Sequence, residues 1–120
     1  MKIAILTCST GGGHNSAGNA IRGQFLSGGA ECDLINALDF MPKLQSDVIS
    51  KGHVLVYKKA PKLYGVAYRF EERHSPRTID RLCGAAAVKL YPFLREHGYD
   101  AVVCVHVFPA VMMTHIRRKY

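Results

Sequence analysis

The feature that most limits how this chain folds is an apolar run that ends in three glycines. Lys2–Cys8 reads KIAILTC, and Ser9 and Thr10 lead into Gly11, Gly12, Gly13 and His14. An unbroken apolar run of strand length marks a strand covered on both faces, as in a parallel sheet. From His14 a helical period begins, with Ala17, Ala20, Ile21 and Phe25 expected on one buried stripe. Ser27, Gly28 and Gly29 stop it. Strand, glycine turn and helix in succession predict the opening of a βαβ unit.

The rest of the chain continues the alternation. Cys32–Ala37 reads as a second strand and Asp100–Val105 as a third. Pro42 fits the first turn of a helix over 43–56, which Gly52 weakens. Ser75-Pro76 has the form of a helix start, and the helix after it buries Ile79, Leu82, Cys83, Ala86, Leu90, Phe93 and Leu94 until His97-Gly98 ends it. Residues 106–109 read as a loop before a last helix over 110–119. The expected fold is α/β: a Rossmann-like parallel sheet with helices on both faces, filling residues 1–120 as one domain. Three strands make a thin sheet and the chain stops within a helix, so a piece of a larger protein is expected.

Composition narrows the class. With 48% hydrophobic and 21% charged residues, the 120-residue chain reads as globular rather than disordered. No apolar run reaches the roughly 18 residues of a membrane span, and Ile3–Leu6 is too short for a signal peptide. A cytoplasmic location is therefore expected. The four cysteines, at 8, 32, 83 and 104, form no CxxC pair or zinc spacing and read as core residues in a reducing compartment. Residues 51–81 carry +5 of the net charge of +7 and interleave cations with aromatics. Lys58, Lys59, Lys62, Tyr64, Tyr68 and Arg69 lie in this segment and suit an anionic membrane surface. No RNP, KH or finger pattern supports a nucleic-acid partner.

The glycine turn is the candidate site. It stands where an open α/β sheet binds ligands, and the following helix aims unpaired N–H groups at it. Two nucleotide motifs fail. Ser16 replaces the last glycine of a dinucleotide fingerprint, and Asn19-Ala20 replaces the Lys-Ser/Thr of a P-loop that starts at Gly13. Asp33 and Asp39 follow Gly13 by 20 and 26 residues, a ribose-carboxylate spacing without its full fingerprint. The positive end of a helix disfavours imidazolium, so His14 is expected to be neutral and able to accept a proton from a hydroxyl. The same residue types also permit His14 to be only a first-turn residue facing solvent. The histidines at 53, 74, 97 and 115 lack ligand pairing, so no metal site is expected.

Ile5-Leu6-Thr7-Cys8-Ser9-Thr10-Gly11-Gly12-Gly13-His14-Asn15-Ser16-Ala17 with Ala20-Ile21, Tyr64-Gly65 with Tyr68, and Tyr99–His106 together resemble the monogalactosyldiacylglycerol synthases and the related processive diacylglycerol glycosyltransferases. The chain departs from their pattern at Ser9, where plant members carry aspartate, and at Val107, where proline usually follows the Val-His pair. The resemblance implies the N-terminal, acceptor-binding half of a two-domain GT-B glycosyltransferase. A C-terminal half would bind a UDP-sugar as co-substrate, and no cofactor would be needed. It implies His14 as general base toward diacylglycerol or a similar lipid acceptor, with Ser9, Thr10, Gly11, Gly12 and Gly13 as the acceptor- or phosphate-facing loop and His106 in the cleft. Such a protein would sit peripherally on the membrane, and the 120 residues alone would be inactive. Two alternatives stay open: a GT-B transferase acting on a polyprenyl-diphosphate acceptor, and a non-catalytic Rossmann-like module binding a nucleotide or anionic lipid.

Overall fold

The computed structural model describes residues 1–10, 12–47, 58–59 and 77–120. Three parallel strands form its sheet in the order β2-β1-β3: β1 (Lys2–Thr7), β2 (Glu31–Asn36) and β3 (Ala101–Cys104). The register pairs Ile3 with Cys32 and with Ala101, and Leu6 with Ile35 and with Cys104. Ile3, Ala4, Ile5 and Leu6 in the central strand are 1% exposed or less. That two-sided burial is why β1 is apolar from Ile3 through Leu6 instead of alternating.

Among the described residues the sheet is accompanied by α1 (Gly12–Ser27), the short α2 (Lys43–Asp47), α3 (Arg77–Glu96) and α4 (Val107–Lys119). On one face Ile3, Ile5 and Cys32 meet Ile21 and Phe25 of α1. On the other, Ala4, Leu6 and Cys8 meet Cys83, Ala86, Leu90 and Leu94 of α3 and Met112 and Ile116 of α4. A parallel sheet with helices on both faces is therefore present, as the alternation of elements predicts. Among the described residues, no helix is long and apolar enough to cross a membrane.

Local chemistry sets the ends of the elements. Gly29 and Gly98 adopt φ of +79° and +65°, which only glycine reaches without strain. At Gly29 the N–H donates to Leu26 O and that of Ala30 to Phe25 O, the pair of bonds that closes a Schellman turn. Pro92 lies inside α3, where it removes one helical donor, yet the helix runs on to Glu96. Near the N-terminal edge of the sheet, Asp100 accepts the Lys2 N–H, and the Tyr99 hydroxyl donates to Asp33 at 2.8 Å.

Several boundaries differ from expectation. The strands are each one or two residues shorter or shifted, and Ala37 begins a 3₁₀ turn because the Asn36 side chain accepts the Leu38 N–H. In α1 the buried position is Gly18, while Ala17 and Ala20 are exposed. Ile21 and Phe25 do face the sheet, but Gly18 completes their stripe in place of the two alanines, because α1 approaches the sheet through a glycine. Residues 107–109, expected in a loop, form the first turn of α4: His106 caps it, and Pro109 sits where a missing N–H costs nothing. Of the helix expected over 43–56, only Lys43–Asp47 is described, and Ser75-Pro76 lies outside the described residues.

Burial decides the state of the thiols. It pushes Cys8 up to about 12, with neighbouring Cys83 and Cys104 adding to the effect, and Cys83 to about 11, with Asp80 adding. Tyr99 rises to about 12, through burial and then its bond to Asp33. The unfolded chain releases thiol protons near 9.0, whereas the folded chain keeps them. The fold should therefore be fully stable below pH 9 and lose stability as pH rises through 11 toward 12. Urea unfolding midpoints across that range should fall, and fall less in a Cys8→Ala variant compared with its own neutral-pH midpoint.

Candidate functional site

The site lies at the carboxyl end of the sheet. From β1 the chain enters α1 on one face, and from β3 it enters α4 on the other. Adjacent parallel strands whose connections leave in opposite directions open a crevice between them, the usual ligand position in such sheets. The starts of α1 and α4 flank it, and each brings a histidine: His14 in the first turn of α1, and His106 before the first residue of α4.

Two side chains fasten the start of α1 to the sheet. The Thr7 hydroxyl at the end of β1, itself buried, donates to Asn15 Oδ1 at 2.9 Å. His14 Nδ1 lies 3.1 Å from Val105 O, just past β3. One turn further along, Gly18 lets the helix come close: a Cβ there would stand 2.7 Å from Leu34 Cδ1 and 3.7 Å from Ile5 Cγ2 and Val105 Cγ2.

The Val105 contact determines the chemistry of His14. A carbonyl oxygen only accepts, so Nδ1 must carry the hydrogen. In the neutral ring the lone pair then resides on Nε2, which has no hydrogen-bond partner among the described residues. The side chain is exposed. An anchored imidazole with an available lone pair at an open crevice is the arrangement of a general base. The His106 ring packs edge-on against His14, with centroids 4.4 Å apart.

The expected loop divides in two. Ser9 and Thr10 lie between β1 and α1, and the Ser9 N–H is held by Asn36 Oδ1 at 3.2 Å. Gly11 lies outside the described residues. Gly12 and Gly13 belong to the first turn of α1. Neither has a positive φ, and a Cβ on either would meet nothing within 4 Å. Neither backbone shape nor packing requires glycine at 12 or 13. What glycine leaves at these positions is bare backbone open to solvent, where a ligand can approach.

Other candidates separate from the crevice. Asp33 is committed to Tyr99, while Asp39 accepts the Asn36 Nδ2–H at 2.8 Å and so lies beside the Ser9 support. Lys58 and Lys59 are exposed, while Lys62, Tyr64, Tyr68 and Arg69 lie outside the described residues. No cluster of three or more metal-ligating side chains occurs among the described residues. Sequence reasoning missed Thr7, Asn15, Asn36 and the Val105 carbonyl. The His14–Val105 and Ser9–Asn36 contacts span 91 and 27 residues, which leaves no local signal. No family model, curated protein or solved structure matches the chain.

Two substitutions test this arrangement. Gly13→Ala has room and an ordinary φ, so it should stabilise the chain by about 0.4–1 kcal/mol in thermal or urea unfolding. Gly18→Val should act oppositely. Leu34 can swing away from one methyl, but a branched side chain also meets Ile5 and Val105, and overpacking of this kind costs about 1–3 kcal/mol.

Proposed function

We propose that this chain is the acceptor-binding domain of an inverting GT-B glycosyltransferase that moves a hexose from a UDP-sugar to diacylglycerol. The observation that carries the reading is His14, with Nδ1 tied to Val105 O and Nε2 left to take a proton. The likeness of the Thr10–His14 and Tyr99–His106 segments to diacylglycerol glycosyltransferases supplies the reaction class.

In the proposed reaction, His14 Nε2 removes the proton of the acceptor hydroxyl as its oxygen forms a bond to the anomeric carbon. The bond from that carbon to the UDP oxygen breaks, and its electron pair leaves with UDP. One displacement inverts the anomeric centre, so one base suffices. The donor would be bound mainly by a second domain of a longer polypeptide. The open backbone at Gly12 and Gly13, next to the N–H groups that start α1, offers room for a diphosphate. The exposed Lys58 and Lys59 suit attachment to an anionic bilayer at which the lipid acceptor resides.

The same bare glycine backbone favours a second reading, in which the acceptor is a polyprenyl diphosphate and its phosphates occupy that space. Acceptor competition separates the two, since preference for the prenyl-linked lipid overturns diacylglycerol as acceptor.

In the longer enzyme, His14→Ala should lower turnover by about 10²–10⁴-fold while UDP-sugar binding stays unchanged. Near-normal turnover in that variant would refute the assignment of the base. The 120 residues alone should transfer no sugar.

A further inference from the structure

The base assignment gives no role to His106, although its ring touches that of His14. His106 stands in extended backbone (φ −148°, ψ 154°), and its Nδ1 accepts the Phe108 N–H at 3.1 Å. An accepting Nδ1 carries no hydrogen, so the neutral ring bears its hydrogen on Nε2. The preceding residue, Val105, supplies the carbonyl that takes the His14 Nδ1–H. The His106 ring meets that of His14 at 79°, and the Phe108 ring lies 4.8 Å from His106. Two consecutive residues of the β3–α4 junction thus hold one imidazole, one through a carbonyl and the other through a ring.

We propose that His106 is a positioning residue for His14: by capping α4 and packing edge-on against the imidazole, it keeps Val105 O on Nδ1 and the lone pair on Nε2. The functional meaning of this rests on His14 being the base, whereas the structural part does not. A histidine side chain in water prefers its hydrogen on Nε2, which leaves no lone pair there. Val105 O draws the hydrogen to Nδ1. Val105 is held from the sheet by its own N–H, which donates to Leu6 O at 3.0 Å, and from the helix through the peptide it shares with His106, whose side chain caps α4. Without the cap the Phe108 N–H loses its acceptor, the start of α4 frays, and that peptide is free to turn its carbonyl away from Nδ1. Without the ring, His14 loses the wall that fixes its plane.

Nitrogen-edited imidazole NMR of this chain reads the His14 tautomer directly. The wild type should show the Nδ1–H form. H106A should shift His14 toward the Nε2–H form. H106N keeps an acceptor for the Phe108 N–H but removes the ring, and should fall between the two. It also serves as the folded reference if H106A does not fold. An unchanged His14 tautomer in both variants, or an Nε2–H form in the wild type, overturns the proposal. In the longer enzyme, H106A should lower turnover about tenfold with KM for both substrates unchanged, and H106N should recover most of the loss. A tautomer that depends on His106 in a protein without sugar transfer sinks the transferase reading and leaves the positioning role intact. Sugar transfer with a tautomer indifferent to His106 does the reverse.

Discussion

The structure depends on how closely α1 lies on the sheet. Gly18 sets the distance, with Leu34, Ile5 and Val105 crowding the space a side chain would fill. Asn15 and His14 then fasten the start of the helix to β1 and to the end of β3. A helix held further out would leave His14 Nδ1 without the Val105 carbonyl, and nothing else described would select its tautomer. Packing in the middle of α1 therefore governs the chemistry available at its first turn. Stability and site geometry are one problem here.

The two ends of the sheet do different work. Near the amino ends of the strands, polar groups are mutually satisfied: Lys2 with Asp100 and the His97 carbonyl, and Tyr99 with Asp33. That end is closed and structural. The carboxyl end keeps an exposed imidazole and bare glycine backbone beside the start of a helix. Among the described residues these groups gather where the connections of β1 and β3 part, the usual ligand position in such sheets.

The histidines show how one residue type takes different parts. His115 pairs with Asp80 at 3.0 Å, joining α4 to α3, and its ring fits where Gly84 has no side chain. His97 Nδ1 lies 2.9 Å from Phe93 O at the end of α3. His106 caps α4. His14 shares an anchored Nδ1 and an exposed ring with His97, but of the two His14 is the one at the carboxyl end of the sheet, in the first turn of α1. Composition cannot rank these residues, because their roles come from the partner of each Nδ1 or Nε2.

Much of the architecture was legible in the residues themselves. The unbroken apolar run of β1 required cover on both faces, Gly98 marked the end of α3, and the order of strands and helices implied a parallel sheet. These are local or periodic properties, and burial acts on them position by position. The three-glycine run likewise located the candidate site at the end of the first strand. The burial of Gly18 in place of Ala17 and Ala20, the early start of α4 and the freedom of Gly12 and Gly13 from any packing duty were decided only in the folded molecule. So was the tautomer of His14, since the oxygen that determines it lies 91 residues away and arrives beside the ring only when β3 pairs with β1.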